Sequence, residues 1–340
     1  MPAISLKLPR IYPLPNFRWL ARMEGRSYMN LDGVLGPDFL DVIRWKLGFG
    51  SEGRVKEEIK HEEPSGQVLP KITSSEILMP KNLACTWIGH STFLLEVGGN
   101  NLLTDPIFND SCFPAPINAF RRLAPPGISI RDFPDIHAIL ISHSHYDHLD
   151  IASLKKIGRG VPIYCPMGVA RLLIRNGFDC VNEMTWGDVA EVGGDLRLTC
   201  LPAQHGSART PFDRNQTLWC SWWIEGGGSR VYFLGDTGYF KFPREYSSEI
   251  GPVDLALIPI GAYKPRWFMR SIHMNPAEAA QMHLDLQARL SVGMHYDTFP
   301  LAEELPGEAP VLLYKALEEL GIEAKCFLLP PPGVRLNSSV

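Results

Sequence analysis

Short apolar runs separated by turn residues recur along this chain from about residue 84 onwards. The segments ACTWIGHSTFLLEVGG and NNLLTDPIF (84–108) predict two strands joined by a turn of glycines and asparagines. Strand-like runs then alternate with helix-like periodicity. The predicted strands lie at 137–142, 161–166, 196–203, 217–227, 229–238, 254–261 and 291–299, and the predicted helices at 151–157, 170–178, 276–290 and 311–321. This order predicts an α/β fold in which two sheets pack face to face with helices outside.

The first 80 residues have a different pattern, rich in proline and aromatic residues. One helix is predicted at 37–49, where Pro37 suits a helix start. The charged stretch 52–67 is typical of a linker or a solvated surface. The segment RIYPLPNFRWLARM (10–23) and an apolar helix face suit a membrane interface, although the same face could simply cover the core. That face comprises Phe39, Leu40, Ile43 and Leu47.

Composition narrows the class of protein. The chain has 340 residues, 45% of them hydrophobic, which is enough for one large domain with an extension. The 33 basic and 37 acidic residues are near balance, which argues against a nucleic-acid partner. Seven scattered cysteines without a CxxC pair argue against a disulfide scaffold and indicate a reducing, cytoplasmic compartment. No apolar segment is long enough for a membrane span, and the first twenty residues do not have the pattern of a signal peptide.

The motif HSHYDH (143–148) follows the apolar run Ile139–Ile141 and concentrates metal-binding side chains in one turn. Such a turn can direct His143 and His145 to one side and Asp147 and His148 to the other. That arrangement is required for two neighbouring metal ions, and six residues cannot close both sites. Further ligands are therefore expected downstream.

Three downstream residues each follow an apolar strand. They are His205 after LTCLPAQ, Asp236 after VYFLG and His295 after SVGM. A single histidine or aspartate at a strand end is usually a surface or turn residue. Three of them following an HxHxDH motif predict that seven side chains form one metal centre.

With these seven residues, the sequence resembles the metallo-β-lactamase superfamily. The segments WIGHSTFLLEV, LLTDPIF, ISHSHYDHLD, GDTGY and IPIGAYKPRWFM resemble more closely the phospholipase D family that hydrolyses N-acyl-phosphatidylethanolamine. The similarity covers roughly residues 84–335, and GAYKPRWFM is its most specific part. The fold implied is the αββα sandwich. Residues 81–340 are then the catalytic domain, and residues 1–80 an extension that packs on it.

The resemblance implies two zinc ions per chain. One would bind His143, His145 and His205, the other Asp147, His148 and His295, and Asp236 would bridge both. Manganese or iron at one position remains an alternative. The implied reaction is attack of metal-bound hydroxide on phosphorus, giving phosphatidic acid and an N-acylethanolamine. Asp147 would also orient the nucleophile or accept its proton, and none of the cysteines would take part.

Other residues are expected near this centre. Asp105 is expected to support the HxHxDH loop, and His90 to approach the metals or hold the loop. Tyr239 and His273 are candidate catalytic residues, since Tyr239 could reach a phosphate oxygen and His273 precedes a helix cap. The loop 264–270 offers cations for a phosphate and apolar side chains for acyl chains or a membrane surface, unless it is an ordinary packed loop. The residues expected to make these contacts are Lys264, Arg266, Trp267 and Phe268.

The sequence leaves several functions open. An ester, thioester or lactone hydrolase could use the same centre, and a nuclease is disfavoured by the balanced charge. A non-enzymatic protein is disfavoured because all seven ligands are present. The expected partner is a phospholipid at a membrane surface, with peripheral attachment of the chain, and a homodimer remains open. His61, His137 and His283 are expected to be structural or exposed.

Overall fold

The computed structural model describes residues 21, 23–34, 36–37, 40–41, 44, 79–113 and 120–338. The polar stretch 52–67 lies outside these residues, as do most of the predicted helix 37–49 and of the segment 10–23. Strands β1 and β2, Met23–Glu24 and Ser27–Tyr28, form a short antiparallel hairpin. Tyr28 of β2 and Leu31, three residues further on, pack against the main hydrophobic core of the described chain.

Two seven-stranded sheets form the body of the described chain. The strands of the first sheet are β3 Leu83–Gly89, β4 Thr92–Val97, β5 Asn100–Thr104, β6 Ala138–Leu140, β7 Ile163–Pro166, β8 Val181–Met184 and β16 Arg335–Asn337. Their order is β16-β3-β4-β5-β6-β7-β8. Pairing is antiparallel from β16 to β5 and parallel from β5 to β8.

The second sheet repeats this division. Its strands are β9 Val189–Glu191, β10 Arg197–Leu201, β11 Ser221–Gly226, β12 Ser229–Phe233, β13 Leu255–Pro259, β14 Leu290–Met294 and β15 Phe327–Leu328. Their order is β15-β14-β13-β12-β11-β10-β9. Strands β9 to β12 pair antiparallel, and β12 to β15 pair parallel.

Helices follow many of the strands. They are α1 Ile151–Ile157, α2 Ala170–Arg175, α3 Phe242–Ile250, α4 Arg266–Met269, α5 Pro276–Asp285 and α6 Glu308–Glu319. Single 3₁₀ turns lie at Ile130–Asp132 and Ala324–Cys326. None of the helices in the described ranges is long and apolar enough to span a membrane.

Alternation along the strands places the sheets face to face. In β4, Phe93 and Leu95 belong to the central cluster, which also contains Trp222 of the second sheet. The intervening Leu94 belongs to an outer cluster with Leu154 of α1. Because successive side chains of a strand point to opposite faces, one face of the first sheet meets the second sheet and the other meets helices. The predicted two-sheet sandwich with helices outside is confirmed.

Local predictions were less accurate. The segment 84–99, predicted as one strand, forms β3 and β4, because the chain reverses at His90 and Ser91. The Gly98–Gly99 turn connects β4 to β5, and Asn100 already belongs to β5. Much of the predicted loop 264–270 is the short helix α4. Sequence periodicity cannot show these reversals, because a turn of two residues hardly interrupts the apolar pattern.

Candidate metal centre

The seven predicted ligands follow the carboxyl ends of four strands. His143, His145, Asp147 and His148 follow β6, and His205, Asp236 and His295 follow β10, β12 and β14. The two sheets face each other, so these strand ends deliver side chains from both sheets to one place. All seven side chains come together there, five of them buried and two, His145 and Asp147, partly exposed.

One group of ligands consists of three histidines. His143 Nε2 lies 2.8 Å from His145 Nδ1, and His205 Nε2 lies 3.2 Å from the same atom. The three nitrogen atoms therefore point at one another rather than at solvent or at backbone groups. Three converging imidazole nitrogens are a donor set that suits zinc.

The second group contains Asp147, His148 and His295. Asp147 Oδ2 lies 3.2 Å from His148 Nε2 and 3.4 Å from His295 Nε2. Asp236 Oδ2 lies 3.1 Å from His148 Nε2 and 3.0 Å from His295 Nε2. The same oxygen is 3.8 Å from His205 Nε2 and 4.0 Å from His143 Nε2 of the first group. Asp236 thus lies between the two groups, where the resemblance places a bridging ligand.

Unpartnered polar atoms test whether this cluster fits metal ions. Asp236 Oδ1, His148 Nε2 and His295 Nε2 are buried and make no hydrogen bond of good geometry within the described part of the chain, although the two nitrogen atoms lie 3.0–3.4 Å from carboxylate oxygens. Buried polar atoms are normally paired, because leaving one unpaired costs about 1–3 kcal/mol. All three atoms belong to the ligand cluster, and a metal ion accepts electron pairs from atoms of these types. The residues therefore fit the implied metal ions.

Asp105 and Ser142 organise the histidine loop from behind. Asp105 accepts hydrogen bonds from the Ser142 backbone N–H at 2.7 Å and the Ser142 hydroxyl at 2.5 Å. Its Oδ2 also lies 2.7 Å from His148 Nδ1, and Ser142 Oγ lies 2.9 Å from His143 Nδ1. These contacts direct the Nε2 atoms of both histidines toward the centre, as expected of groups that orient metal ligands. The geometry agrees with the support role predicted for Asp105.

His90 contacts the second group directly. Its Nε2 lies 2.8 Å from Asp147 Oδ2, and its backbone oxygen accepts a hydrogen bond from His295 N at 3.1 Å. Burial lowers the pKa of His90 to about 3, so the ring is neutral. The pKa of Asp147 is held well below its usual value by His148 and hydrogen bonds, although burial alone would raise it. Since an ionised carboxylate only accepts, His90 donates from Nε2 and holds Asp147 in place.

His273 lies beside both ligand groups. Its ring centre is 5.0 Å from that of His205 and 5.3 Å from that of His295. Its Nδ1 is buried and makes no hydrogen bond to any residue that the structure describes. The predicted helix cap follows, since the Asn275 side chain accepts from Glu278 N at 2.8 Å and Glu278 accepts from Asn275 N at 3.0 Å.

Carboxylates and histidines of the cluster shift each other's pKa values. Burial would lower the pKa values of His148 and His295, yet the nearby carboxylates raise that of His148 well above normal and that of His295 to about 9. Burial alone would raise the pKa of Asp236, but the neighbouring His148 and His295 hold it well below normal. Burial lowers the pKa of His205 to about 3. The carboxylates of Asp147 and Asp236 therefore favour positive charge at the second ligand group.

Several pocket predictions need correction. The Tyr239 hydroxyl donates to Asp285 Oδ2 at 2.5 Å, so it is engaged on α5 and does not point to a substrate phosphate. Lys264 Nζ lies 2.6 Å from Glu308, which neutralises the predicted phosphate-binding charge. Tyr239 and Lys264 each contact a carboxylate more than forty residues away in sequence. A prediction based on neighbouring residues in the sequence cannot identify such partners.

The predicted roles of the α4 residues also change. Arg266 Nη2 donates to both carboxylate oxygens of Glu278, at 2.9 and 3.0 Å, and Arg266 Nη1 donates to the backbone oxygen of His273 at 3.0 Å. It therefore fixes the segment that carries His273. Phe268 is only 7% exposed, so it cannot serve as a membrane contact, whereas Trp267 is 37% exposed.

Arg209, which the sequence analysis missed, clamps the histidine loop. Its Nη1 donates to the backbone oxygens of Ser144 at 2.8 Å and Leu149 at 2.9 Å, one at each end of the motif. Its guanidinium carbon lies 3.8 Å from the ring centre of Tyr146. An arginine after a strand-end histidine carries no recognisable sequence signal, because its partners are about sixty residues away.

The remaining histidines and the cysteines either lie outside the ligand cluster or are not among the residues that the structure describes. His137 is exposed and accepts from Asn101 N, while buried His283 contacts Ser291 Oγ at 2.8 Å. His61 lies outside the described residues. The seven cysteines are free, five of them are buried, and none contributes to the ligand groups that the described residues form.

Comparison with known proteins adds family information. Residues 100–296 match the family described as the beta-lactamase superfamily domain. The chain is 37% identical over 242 residues to N-acyl-phosphatidylethanolamine-hydrolyzing phospholipase D 1 of Caenorhabditis elegans, covering 68% of each protein. It is 34% identical over 250 residues to the mitochondrial enzyme of that name from Saccharomyces cerevisiae, covering 71% of this chain and 53% of the yeast protein. The isothiocyanate hydrolase from Delia radicum gut bacteria gives a TM-score of 0.62 at 20% identity, covering 74% of this chain and 97% of that one, which shows a shared fold.

Proposed function

We propose that this chain, which belongs to the metallo-β-lactamase superfamily, is a dinuclear zinc phosphodiesterase of the phospholipase D type. It is a metal-dependent hydrolase by its family. Its proposed substrates are N-acyl-phosphatidylethanolamine-like phospholipids, and its proposed products are phosphatidic acid and an N-acylethanolamine. Asp147 is a candidate catalytic residue as well as a ligand.

The observation that carries this proposal is the position of Asp236 between two ligand groups. One of its oxygens is 3.0–3.1 Å from nitrogen atoms of the second group and 3.8–4.0 Å from those of the first. A single-metal site would need only one such group. Two groups around a shared carboxylate favour a pair of ions, which suits the in-line displacement of a phosphate oxygen.

The proposed metals are zinc because the donors are imidazoles and carboxylates without cysteine. When bound, the two ions would supply an activated water as nucleophile at neutral pH and would offset the negative charge of the phosphate. His90 holds the carboxylate of Asp147 at 2.8 Å, so that this group cannot rotate away from the second ligand group.

His273 is proposed to contact the substrate phosphate. Burial lowers its pKa well below normal, so the ring is neutral and can donate a hydrogen bond from one nitrogen. Arg266 and the cap of α5 fix the backbone on either side of it. A neutral donor held beside both ligand groups can orient a phosphate oxygen without adding a positive charge next to the metal ions.

The substrate class rests on similarity to the worm and yeast proteins, whose names state that they hydrolyse N-acyl-phosphatidylethanolamine. The balanced reaction adds water to phosphorus and breaks the bond from phosphorus to the oxygen of the N-acylethanolamine. A carboxyl-ester hydrolase on the same substrate would release a fatty acid instead. The two reactions therefore differ in product as well as in the atom attacked.

The test offers metal-loaded protein N-acyl-phosphatidylethanolamine, bis-p-nitrophenyl phosphate and a thioester in separate reactions with ¹⁸O-labelled water. The proposal expects phosphatidic acid that carries the label in its phosphate group, with an unlabelled N-acylethanolamine. Release of labelled fatty acid, or turnover of the thioester alone, would replace it with an ester or thioester hydrolase.

A ligand variant and a matched control link the activity to the centre. Asp236→Ala should lose both activity and metal, because one carboxylate serves both groups. Asp254→Asn is the control, since Asp254 is also buried but accepts from Arg230 N at 2.9 Å in another part of the second sheet. It should retain about two metal equivalents and activity. Equal loss in both variants would show that Asp236 acts through stability alone.

A further inference from the structure

We propose that Asn30, in the N-terminal extension, is a positioning residue for the ligand His205, so that the extension forms part of the metal centre. The inference rests on the metal site of the proposed function, and it adds a residue outside the catalytic domain to that site. It follows from a set of hydrogen bonds between segments 175 residues apart.

A reciprocal pair joins Asn30 to the backbone of His205. The Asn30 Oδ1 atom accepts from His205 N at 3.0 Å, and Asn30 Nδ2 donates to His205 O at 3.0 Å. His205 lies four residues beyond the end of β10, where the strand no longer supplies ladder partners. One side chain thus replaces the missing strand neighbour and fixes both backbone groups of a metal ligand.

The ring of His205 is held from another direction. Its Nδ1 lies 2.9 Å from the backbone oxygen of Ile272, so Nε2 faces His145 at 3.2 Å. The Ile272 contact sets the rotation of the ring, whereas Asn30 sets the position of the backbone from which the ring projects. Both are needed to keep Nε2 in the first ligand group, because a shift of the backbone moves the whole imidazole.

Asn30 is built into its place. It is only 4% exposed, and it also accepts from Trp219 Nε1 at 3.0 Å and donates to Val34 O at 2.9 Å. Two accepted and two donated hydrogen bonds use the full capacity of a side-chain amide. Aspartate keeps the accepting oxygen but loses the donors, and alanine loses all four bonds.

The extension is attached along the same loop. Tyr28 N donates to Asn215 O at 2.7 Å, and Arg214 Nη2 donates to Gly36 O at 2.8 Å. Asn215 in turn accepts from Ser207 N at 3.0 Å, two residues after His205. Docking of the extension and binding of metal by the first ligand group are therefore linked, and each should strengthen the other.

The test measures stepwise metal affinity rather than activity. Metal-free full-length protein is titrated with zinc against a chromophoric chelator, and with Co²⁺ followed by its visible absorption. Asn30→Ala should weaken one of the two binding steps by about 10–100-fold and leave the other nearly unchanged, as for other groups that orient ligands. Asn30→Asp should give a smaller loss of affinity in the same binding step and a changed Co²⁺ spectrum. This variant provides the test if the alanine variant folds poorly.

Two controls separate positioning from stability. Trp219→Phe removes one donor to Asn30 but leaves the pair with His205, so it should lower stability without a selective loss of one metal step. Ser27→Ala removes only an exposed contact to the backbone oxygen of Arg214 at 3.3 Å and should change neither quantity.

The outcomes distinguish this inference from the proposed function. If the wild-type chain binds two ions and Asn30→Ala binds both with unchanged affinity, the inference is wrong and the metal centre stands. It is also wrong if Asn30→Ala and Trp219→Phe weaken both steps equally. If the wild-type chain binds no metal, the proposed function itself is wrong.

Discussion

Replacement of Arg209 by methionine should loosen the histidine loop and weaken metal binding. Methionine keeps much of the apolar stem but loses the charged group. The two hydrogen bonds to Ser144 O and Leu149 O would be lost at once, together with the contact to the Tyr146 ring. These three contacts lie on both sides of the central ligands, so their loss frees the loop from its neighbouring segment.

The magnitude follows from these contacts. Hydrogen bonds that involve a charged group contribute about 1.5–3 kcal/mol each, and a cation over an aromatic ring about 0.5–2 kcal/mol. Burial lowers the pKa of Arg209, which indicates that removing this guanidinium from water carries its own cost. Using the lower end of each range and subtracting that cost, we expect a loss of about 2–3 kcal/mol in the free energy of unfolding. Metal affinity should fall by about 10–100-fold.

Urea unfolding of the metal-free protein measures the first quantity, and zinc competition with a chromophoric chelator measures the second. Arg171→Met is the matched control, because this arginine is exposed on α2, a helix that carries none of the predicted ligands. Arg209→Lys should recover only part of the stability, because an ammonium group can still donate to the carbonyls but cannot stack on the Tyr146 ring. The stabilising role of Arg209 is refuted if Arg209→Met and Arg171→Met lose equal stability and retain equal zinc affinity.

Three further variants have defined outcomes. Asp105→Asn should lower zinc affinity about 10–100-fold in a chelator competition, because the charged acceptor for His148 Nδ1 is lost, and unchanged affinity would contradict the support role. Burial lowers the pKa of His283 from 6.5 to about 4, so the unfolded chain binds more protons between these values and stability falls as the pH falls through that window. Between pH 7 and pH 4, His283→Asn should therefore lose on the order of 2–3 kcal/mol less free energy of unfolding than the wild type, as measured by denaturant titration. An unchanged dependence of stability on pH would refute this expectation. Trp267→Ala should weaken binding to anionic phospholipid vesicles in sedimentation but spare hydrolysis of bis-p-nitrophenyl phosphate, whereas equal losses would assign Trp267 to the fold.

The ligand set was accessible from sequence because each ligand follows a buried strand. A run of apolar residues predicts the strand, and a histidine or aspartate just beyond it lies at a strand end whatever the rest of the fold. His205, Asp236 and His295 were found in this way. The two-sheet architecture was accessible for a similar reason, since it depends on the order of strands and helices rather than on exact boundaries.

The surroundings of the ligands were not accessible in this way. Asn30 and Arg209 act across 175 and about 60 residues, and nothing local to either residue indicates its partner. For Tyr239 and Lys264, by contrast, a role was predicted that the contacts do not support. Their closeness in sequence to a motif suggested contact with substrate. A side chain that can donate takes the nearest acceptor in the folded structure, and here those acceptors are Asp285 and Glu308.

The GAYKPRWFM segment, on which the resemblance was based most specifically, contacts the backbone around two histidines of the site. A side chain at Gly261 would overlap the backbone oxygen of His295, so only glycine lets this segment pass beside that ligand. His295 itself adopts a left-handed backbone (φ 63°), as does His90 (φ 53°), whose oxygen accepts from His295 N. Non-glycine residues in this region cost about 1–3 kcal/mol each, and surrounding structure must hold them there. The motif supplies that structure through the missing side chain of Gly261 and through Arg266, which fixes His273. The segment therefore supports the site through the space beside His295 and the backbone contact to His273.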